Sequence, residues 1–310
     1  MNLFTGESFS VPSEKTVVAL GNFDGVHIGH QVLLQTAARR AKTLGLSSLA
    51  YVFERHPENV LEGRVVTPEV TPNDLKARFI EKSGVDSLLF EPFNIETAAM
   101  SPSDFVWDVL NKRLNAREVV CGFHYHFGSG GGGDISALKK LCETCNISVV
   151  VIPPVTMHHV VVSSSIVRSL ISEGRVDDAG EYLGHPFILK GEVLSGKKLG
   201  RTWGFPTINQ YFSERSVIPL YGVYITRTLV DGEVFNSITN VGIRPTVDSG
   251  RVNAETNIFD FKRNIYGMNA EIHFLKRIRC EIRFQNFDQL KAQIKKDIIT
   301  AKEYFDFEKE

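Results

Sequence analysis

The sequence has little cysteine, no surplus of either charge and no long apolar run, and each shortage narrows what the chain can be. Four cysteines in 310 residues are too few for a disulfide scaffold. Cys142 and Cys145 form one C-x-x-C, but no second pair completes a four-cysteine zinc site. Leu138, Leu141, Cys142 and Cys145 fall at helical spacing, so the pair reads as packed thiols. A formal net charge of -1 supplies no global attraction to nucleic acid or to an anionic membrane, and neither is an expected partner. No stretch of about 18 apolar residues occurs. The first residues lack the cationic and apolar regions of a secretory signal, so a cytoplasmic location is expected.

What is present describes a globular chain with two cores. Hydrophobic residues make up 43% and charged residues 23%, and 310 residues exceed what one core usually serves. Short apolar runs at 16–20, 48–53, 87–90, 118–121 and 147–152 alternate with amphipathic stretches, the pattern of a Rossmann-like α/β domain with a parallel sheet. Leu33, Ala37, Ala41 and Leu44 mark one face of a helix that starts near His27 and ends by Gly45. After two short helical patterns, Leu183-Gly184-His185-Pro186 punctuates the chain, which places the expected domains at 1–184 and 185–310. Beyond it the period becomes two. Ile278, Cys280, Ile282 and Phe284 alternate with Arg277, Arg279, Glu281 and Arg283, and with runs near 188–194, 222–226, 237–241 and 254–259 they predict a small antiparallel β-barrel. Leu290, Ile294, Ile298, Ala301 and Phe305 mark a closing helix.

Two strings carry chemistry. Gly21-Asn22-Phe23-Asp24-Gly25-Val26-His27-Ile28-Gly29-His30 sits where the first strand hands over to the first helix, an edge at which α/β sheets bind ligands. Amides at the helix start and two imidazoles one turn apart suit phosphate, and Gly29 allows close approach to the backbone. Taken singly, Asp24 is equally a turn or cap residue, and the histidines are equally surface groups. The second string runs from Gly196 to Asn209. Its spaced glycines and cations suit phosphate oxygens, while Thr207 and Asn209 are hard oxygen donors fit for Mg2+. It is not a Walker loop, because the Gly-Lys-Ser/Thr ending is absent.

His27-Ile28-Gly29-His30 resembles the H-x-G-H signature of nucleotidyltransferases. The longer string, followed by residues 53–57 and by Ser163-Ser164-Ser165-Ile166-Val167-Arg168, resembles the FMN adenylyltransferase module of bacterial FAD synthetase. Gly200 to Asn209 resembles the G-R-x-x-G-F-P-T-A-N motif of riboflavin kinase, with Ile208 in place of alanine. Residues 220–224, 240–246 and 255–261 follow in that family's order. The resemblance covers about Val17 to Ala301 and implies a bifunctional enzyme that phosphorylates riboflavin to FMN and adenylylates FMN to FAD.

By that resemblance His27 and His30 stabilise charge on ATP phosphates. Gly21, Asn22, Phe23, Asp24, Gly29, Ser163, Ser164, Ser165 and Arg168 bind the same nucleotide. His56 and His124 are candidates for the flavin or adenylyl site. In the second domain Gly196, Lys198, Gly200, Arg201, Gly204 and Pro206 bind ATP, and Thr207 and Asn209 hold Mg2+. Glu255 is the general base toward the ribityl 5'-hydroxyl, and Arg279 is a candidate flavin contact. The sequence departs from the pattern at Glu54-Arg55, at Ser165, and at His124, which stands at an acidic or amide position. Two alternatives therefore stay open: a riboflavin kinase with an impaired second site, and a non-catalytic flavin-binding regulator that uses Lys276, Arg277, Arg279 and Arg283 on RNA. A monomer or weak homo-oligomer is expected.

Overall fold

Val17, Val18, Ala19 and Leu20 have lost essentially all contact with solvent, as a strand does when both faces of its sheet are covered. They belong to β2 (Thr16–Leu20), one of six parallel strands in the first unit of the computed structural model. The others are β1 (Asn2–Thr5), β3 (Ser47–Phe53), β4 (Ser87–Glu91), β5 (Ala116–Gly122) and β6 (Ser148–Ile152), in the spatial order β1-β4-β3-β2-β5-β6. The structure describes residues 1–6, 8–194, 205–243 and 251–307. It divides into two compact units, Met1–Ser164 and Ser165–Glu310.

The first unit is wound outward from β2. The chain runs to β3 and β4 on one side, then crosses back to β5 and β6 on the other, so the connections reverse between β2 and β5. Above that reversal the loops leaving the two strands part, and a crevice opens at their carboxyl ends. α1 (Ile28–Leu44) follows β2 and buries Leu33, Leu34, Ala37 and Ala41 against the sheet. Gly45, at φ 67°, ends it in the left-handed conformation that glycine adopts without steric cost. α2 (Asn73–Lys82) precedes β4, and α3 (Ile135–Thr144) precedes β6. Residues Phe105–Arg113 form a π-helix, and a two-stranded hairpin, β7 (Thr156–Met157) with β8 (Val160–Val161), closes the unit. Cys142 is fully buried, and burial pushes its thiol up to about 12, as packed thiols require.

In the second unit β9 (Phe187–Glu192), β10 (Ile208–Tyr211), β11 (Gly222–Val230), β12 (Glu233–Ile243), β13 (Val252–Ile258) and β14 (Asn269–Cys280) form an antiparallel sheet in the order β10-β13-β12-β11-β14-β9. A single bridge between Leu194 and Asn209 joins the two ends and nearly closes the barrel. α4 (Ser164–Ser172) and α5 (Val176–Leu183) precede the barrel, and α6 (Phe287–Phe307) follows it. Inside, a chain of hydroxyls runs beside the apolar filling of Val193, Ile208, Val230 and Ile258: Thr226 bonds Ser237 and Thr239, and Thr239 bonds Thr256, each at 2.8 Å. Every one of these hydroxyl side chains is fully buried, and the chain of bonds meets the demand that buried polar groups be paired.

The period-two reading of the last strand overshoots. β14 ends at Cys280, which pairs with Gly222 at the start of β11, so no neighbouring strand remains for Ile282 or Phe284. Ile282 is 49% exposed, and Glu281, Ile282 and Phe284 serve as a cleft wall instead of a ladder.

Candidate active sites

The crevice of the first unit is built from both sides of the chain reversal. Gly21 and Asn22 leave β2, while His124, Tyr125, His126 and Phe127 leave β5, and together they line a cavity of about 350 Å3. Tyr51, Phe53, Phe93 and Phe105 supply flat apolar walls, with the Phe53 and Phe93 rings edge to face at 4.9 Å. Such a slot fits a planar heteroaromatic ring. His124 therefore sits on the wall beside Gly21 and Asn22, its ring 3.9 Å from that of Phe123. His126, which the sequence reading did not select, lines the same cavity and bonds the His124 carbonyl through Nδ1 at 3.0 Å.

His27 caps α1: its Nδ1 accepts from the His30 amide at 3.2 Å. The two imidazoles stack with centroids 3.5 Å apart and planes 13° apart, and Phe23 meets His30 edge-on at 5.2 Å. Gly29 makes this possible by its size. A Cβ there would stand 3.3 Å from His27 Cε1 and Nδ1, close enough that the ring would have to give by a few tenths of an ångström. His30 Nδ1 is shut off from solvent and has no hydrogen-bond partner. Burial first, then the His27 ring and the Lys76 charge, hold the His30 pKa well below its ordinary value, so the imidazole is neutral. Lys76, on α2 and almost wholly buried, is a charge acting on His30 that the sequence does not reveal, because its helical spacing resembles that of an ordinary solvated cation.

Neither His27 nor His30 is among the residues that line the cavity, and the same holds for Asp24, Ser164 and His56. Asp24 is 4% exposed and accepts from the Val70 and Thr71 amides. Ser164 Oγ donates to the Asp24 carbonyl at 2.9 Å. His56 precedes the short helix Pro57–Leu61, with Nδ1 3.7 Å from Glu58, and is not among the residues lining the cavity. Ser165 and Arg168 belong to the second unit, where Arg168 Nη1 bonds Ser165 Oγ at 3.5 Å.

The second site is a transverse row across the barrel. Strand register places Asn209 opposite Glu255, Glu255 opposite Asn240, Asn240 opposite Val223 and Val223 opposite Arg279, so one outward face carries all five. Ala254, Thr256 and Ile258 point the other way and are buried, as alternation along β13 demands. Thr207 Oγ1 donates to Glu255 Oε1 at 2.7 Å. Asn209 Oδ1 accepts from Asn253 Nδ2 at 3.1 Å, and Asn257 Nδ2 holds the Pro206 carbonyl at 2.7 Å. Hydroxyl, amide and carboxylate oxygens gathered here suit a hard divalent cation that takes its remaining ligands from water and phosphate. Gly196, Lys198, Gly200, Arg201 and Gly204 lie outside the described residues.

A cleft of about 290 Å3 extends from Thr207 and Glu255 to Arg279, walled on one side by Leu290, Ile294 and Asp297 of α6. Arg279 is fixed by Asp297, which accepts from Nε and Nη2 at 3.0 and 2.7 Å, and Gln293 steadies the same carboxylate at 2.8 Å. Arg277 Nη2 donates to the Tyr221 carbonyl at 2.7 Å. Two of the four cations offered for RNA are thus engaged within the protein.

Comparison with known proteins agrees with both halves. The FAD synthetase family profile matches residues 10–166, and the riboflavin kinase profile matches residues 183–305. The Bifunctional riboflavin kinase/FMN adenylyltransferase of Bacillus subtilis (strain 168) is 36% identical over 296 residues, covering 94% of this chain and 93% of that protein. Its namesake from Escherichia coli (strain K12) is 35% identical, covering 95% and 94%. A crystal structure named Macrolide-efflux Protein from Streptococcus pneumoniae superposes with a TM-score of 0.89 at 30% identity, over 97% of this chain and 99% of that one. Among the described residues no helix of this chain is long and apolar enough to cross a membrane. On both profiles and on relatives matched nearly end to end, the chain belongs to the bifunctional riboflavin kinase/FMN adenylyltransferase family.

Proposed function

We propose that this protein makes flavin cofactors in two steps, phosphorylating riboflavin to FMN on the barrel and adenylylating FMN to FAD in the crevice of the parallel sheet. The observation that carries the first step is that Thr207, Asn240, Glu255 and Arg279 line one cleft, with Asn209 buried beside Glu255 in the same transverse row. Glu255 accepts the proton of the ribityl 5'-hydroxyl as that oxygen attacks the γ-phosphorus of ATP, and ADP leaves. Thr207 orients the carboxylate through its hydroxyl and, with Asn209, would hold Mg2+. A bound magnesium supplies neutralisation of charge on the transferred phosphoryl group.

In the second step a phosphate oxygen of FMN attacks the α-phosphorus of ATP in line, and pyrophosphate leaves. No covalent enzyme intermediate is needed, so the protein contributes positioning and charge stabilisation. The aromatic slot between Tyr51 and Phe127 takes the isoalloxazine or adenine ring. A neutral His30 donates from Nε2 to phosphate oxygen without needing a proton from solvent. His124 gives this wall an imidazole where the family pattern has an acidic or amide group, and His126 adds a second, yet they leave the slot open.

Two incubations test the reading. With riboflavin, ATP and Mg2+, FMN should form first and FAD later. With FMN and ATP, FAD and pyrophosphate should appear in equal amounts. FMN without FAD in either mixture would leave a kinase alone, and bound flavin without any product would leave a regulator.

A further inference from the structure

Between β2 and α1 the backbone turns through conformations that its side chains disfavour. Phe23 has φ 47°, Gly25 81° and Val26 40°. Glycine adopts such angles freely, but a β-branched valine in this region is a rare and costly feature that survives only where surrounding structure enforces it. Three side chains enforce it here. The Asp24 carboxylate accepts from the Val70 amide at 2.9 and 3.1 Å and from the Thr71 amide at 3.2 Å. Ser164 Oγ donates to the Asp24 carbonyl at 2.9 Å, and Gln31 Nε2 donates to the Val26 carbonyl at 2.9 Å. The turn delivers the chain directly into His27, whose capping bond and stacked ring set the orientation of His30.

We infer that Asp24 is a positioning residue for adenylyl transfer: its buried carboxylate holds the strained turn that aims His27 and His30, and it does not itself meet the nucleotide. The inference rests on the adenylyl-transfer reading of this crevice. An ionised carboxylate facing a triphosphate would oppose binding. Asp24 is instead turned toward backbone amides, and both of its carboxylate oxygens are engaged by the Val70 and Thr71 N–H groups. Ser164 belongs to the same device, since its hydroxyl is spent on the turn.

The test compares wild type, Asp24→Asn and Ser164→Ala as full chains with FMN, ATP and Mg2+. The carboxamide introduced by Asp24→Asn would present a donor to amide donors and release one side of the turn. Misplacing a catalytic pair by about 1 Å costs roughly a hundredfold in rate. Asp24→Asn should therefore lose about tenfold or more in kcat for FAD formation, with the KM for ATP within about threefold of wild type. Ser164→Ala keeps the carboxylate and should lose less. In parallel, the imidazole Cε1–H resonances of His27 and His30, displaced by stacking, should move in Asp24→Asn with or without substrate. A raised KM for ATP with those resonances unmoved would make Asp24 a ligand and overturn the inference. So would a lowered unfolding midpoint with unchanged kcat per folded molecule. Absence of FAD formation by the wild type would defeat the underlying function instead, a result distinct from either.

Discussion

At the scale of single residues, the start of α1 is governed by what burial does to an imidazole. His30 is held neutral because its surroundings, the His27 ring and the Lys76 charge all oppose a second proton. In the unfolded chain the same group titrates near 6.5. Between that value and the lower folded one, the unfolded state binds a proton that the native state refuses, so stability falls as pH falls. The contribution is complete above about pH 6.5, and its loss proceeds at no more than roughly 1.4 kcal/mol per pH unit. Denaturant midpoints of the first unit at pH 7.5 and 5.5 should separate more in wild type than in His30→Gln. Equal separations would mean that His30 titrates normally. The same residues mark how far sequence reading reaches. His27, His30 and Glu255 can be proposed from the sequence because their motifs are contiguous. His126 and Lys76 cannot, since only the fold brings the first to the cavity wall and the charge of the second within reach of His30. His124 is within reach: a chain reversal between β2 and β5 brings the residues after both strands to one crevice.

At the scale of elements, periodicity carried most of the fold. The apolar run at 16–20 and the four-residue spacing of Leu33, Ala37 and Ala41 correspond to β2 and α1 as observed. Elements without a periodic signal escaped. β1 has four residues, three of them exposed, and β10 has four residues beside a glycine-rich string. The overshoot beyond Cys280 has the opposite cause, for alternation persists in sequence after the partner strand has ended. Arg279 illustrates a related limit. Its distance from Glu255 along the chain says nothing of their shared row, which only strand register defines. Register also bears on the boundary between domains, expected at 184/185. α4 and α5 fall in the compact unit of the barrel. The Leu220 amide reaches the Ile171 carbonyl at 3.4 Å, and Gly174, at φ 80°, packs so closely on Arg277 that a Cβ would lie 2.7 Å from its Cδ. We therefore propose that a fragment of residues 165–310 is more stable to denaturant than one of residues 185–310, with both making FMN from riboflavin. Equal midpoints would show that the two helices add nothing to the barrel.

At the scale of the whole molecule, two unrelated architectures each solve a phosphate problem with different means. The parallel sheet offers a crevice at its switch point, a neutral imidazole and an aromatic slot. The barrel offers a row of oxygen donors with a carboxylate at its centre. One chain thereby holds consecutive reactions whose only shared species are ATP and FMN. The claim that each chemistry belongs to its own unit is tested most directly by reciprocal substitution in the intact protein, with riboflavin, ATP and Mg2+ supplied and the flavins resolved over time. His30→Ala removes a donor to the reacting phosphates, worth about 3 kcal/mol or roughly a hundredfold. FMN should accumulate while FAD formation collapses. Glu255→Gln removes general-base assistance worth roughly 10² to 10⁴. Riboflavin should then persist, while FMN added directly still becomes FAD at the wild-type rate. Loss of FMN formation in His30→Ala, or loss of FAD formation from added FMN in Glu255→Gln, would contradict the assignment of the two reactions to the two units.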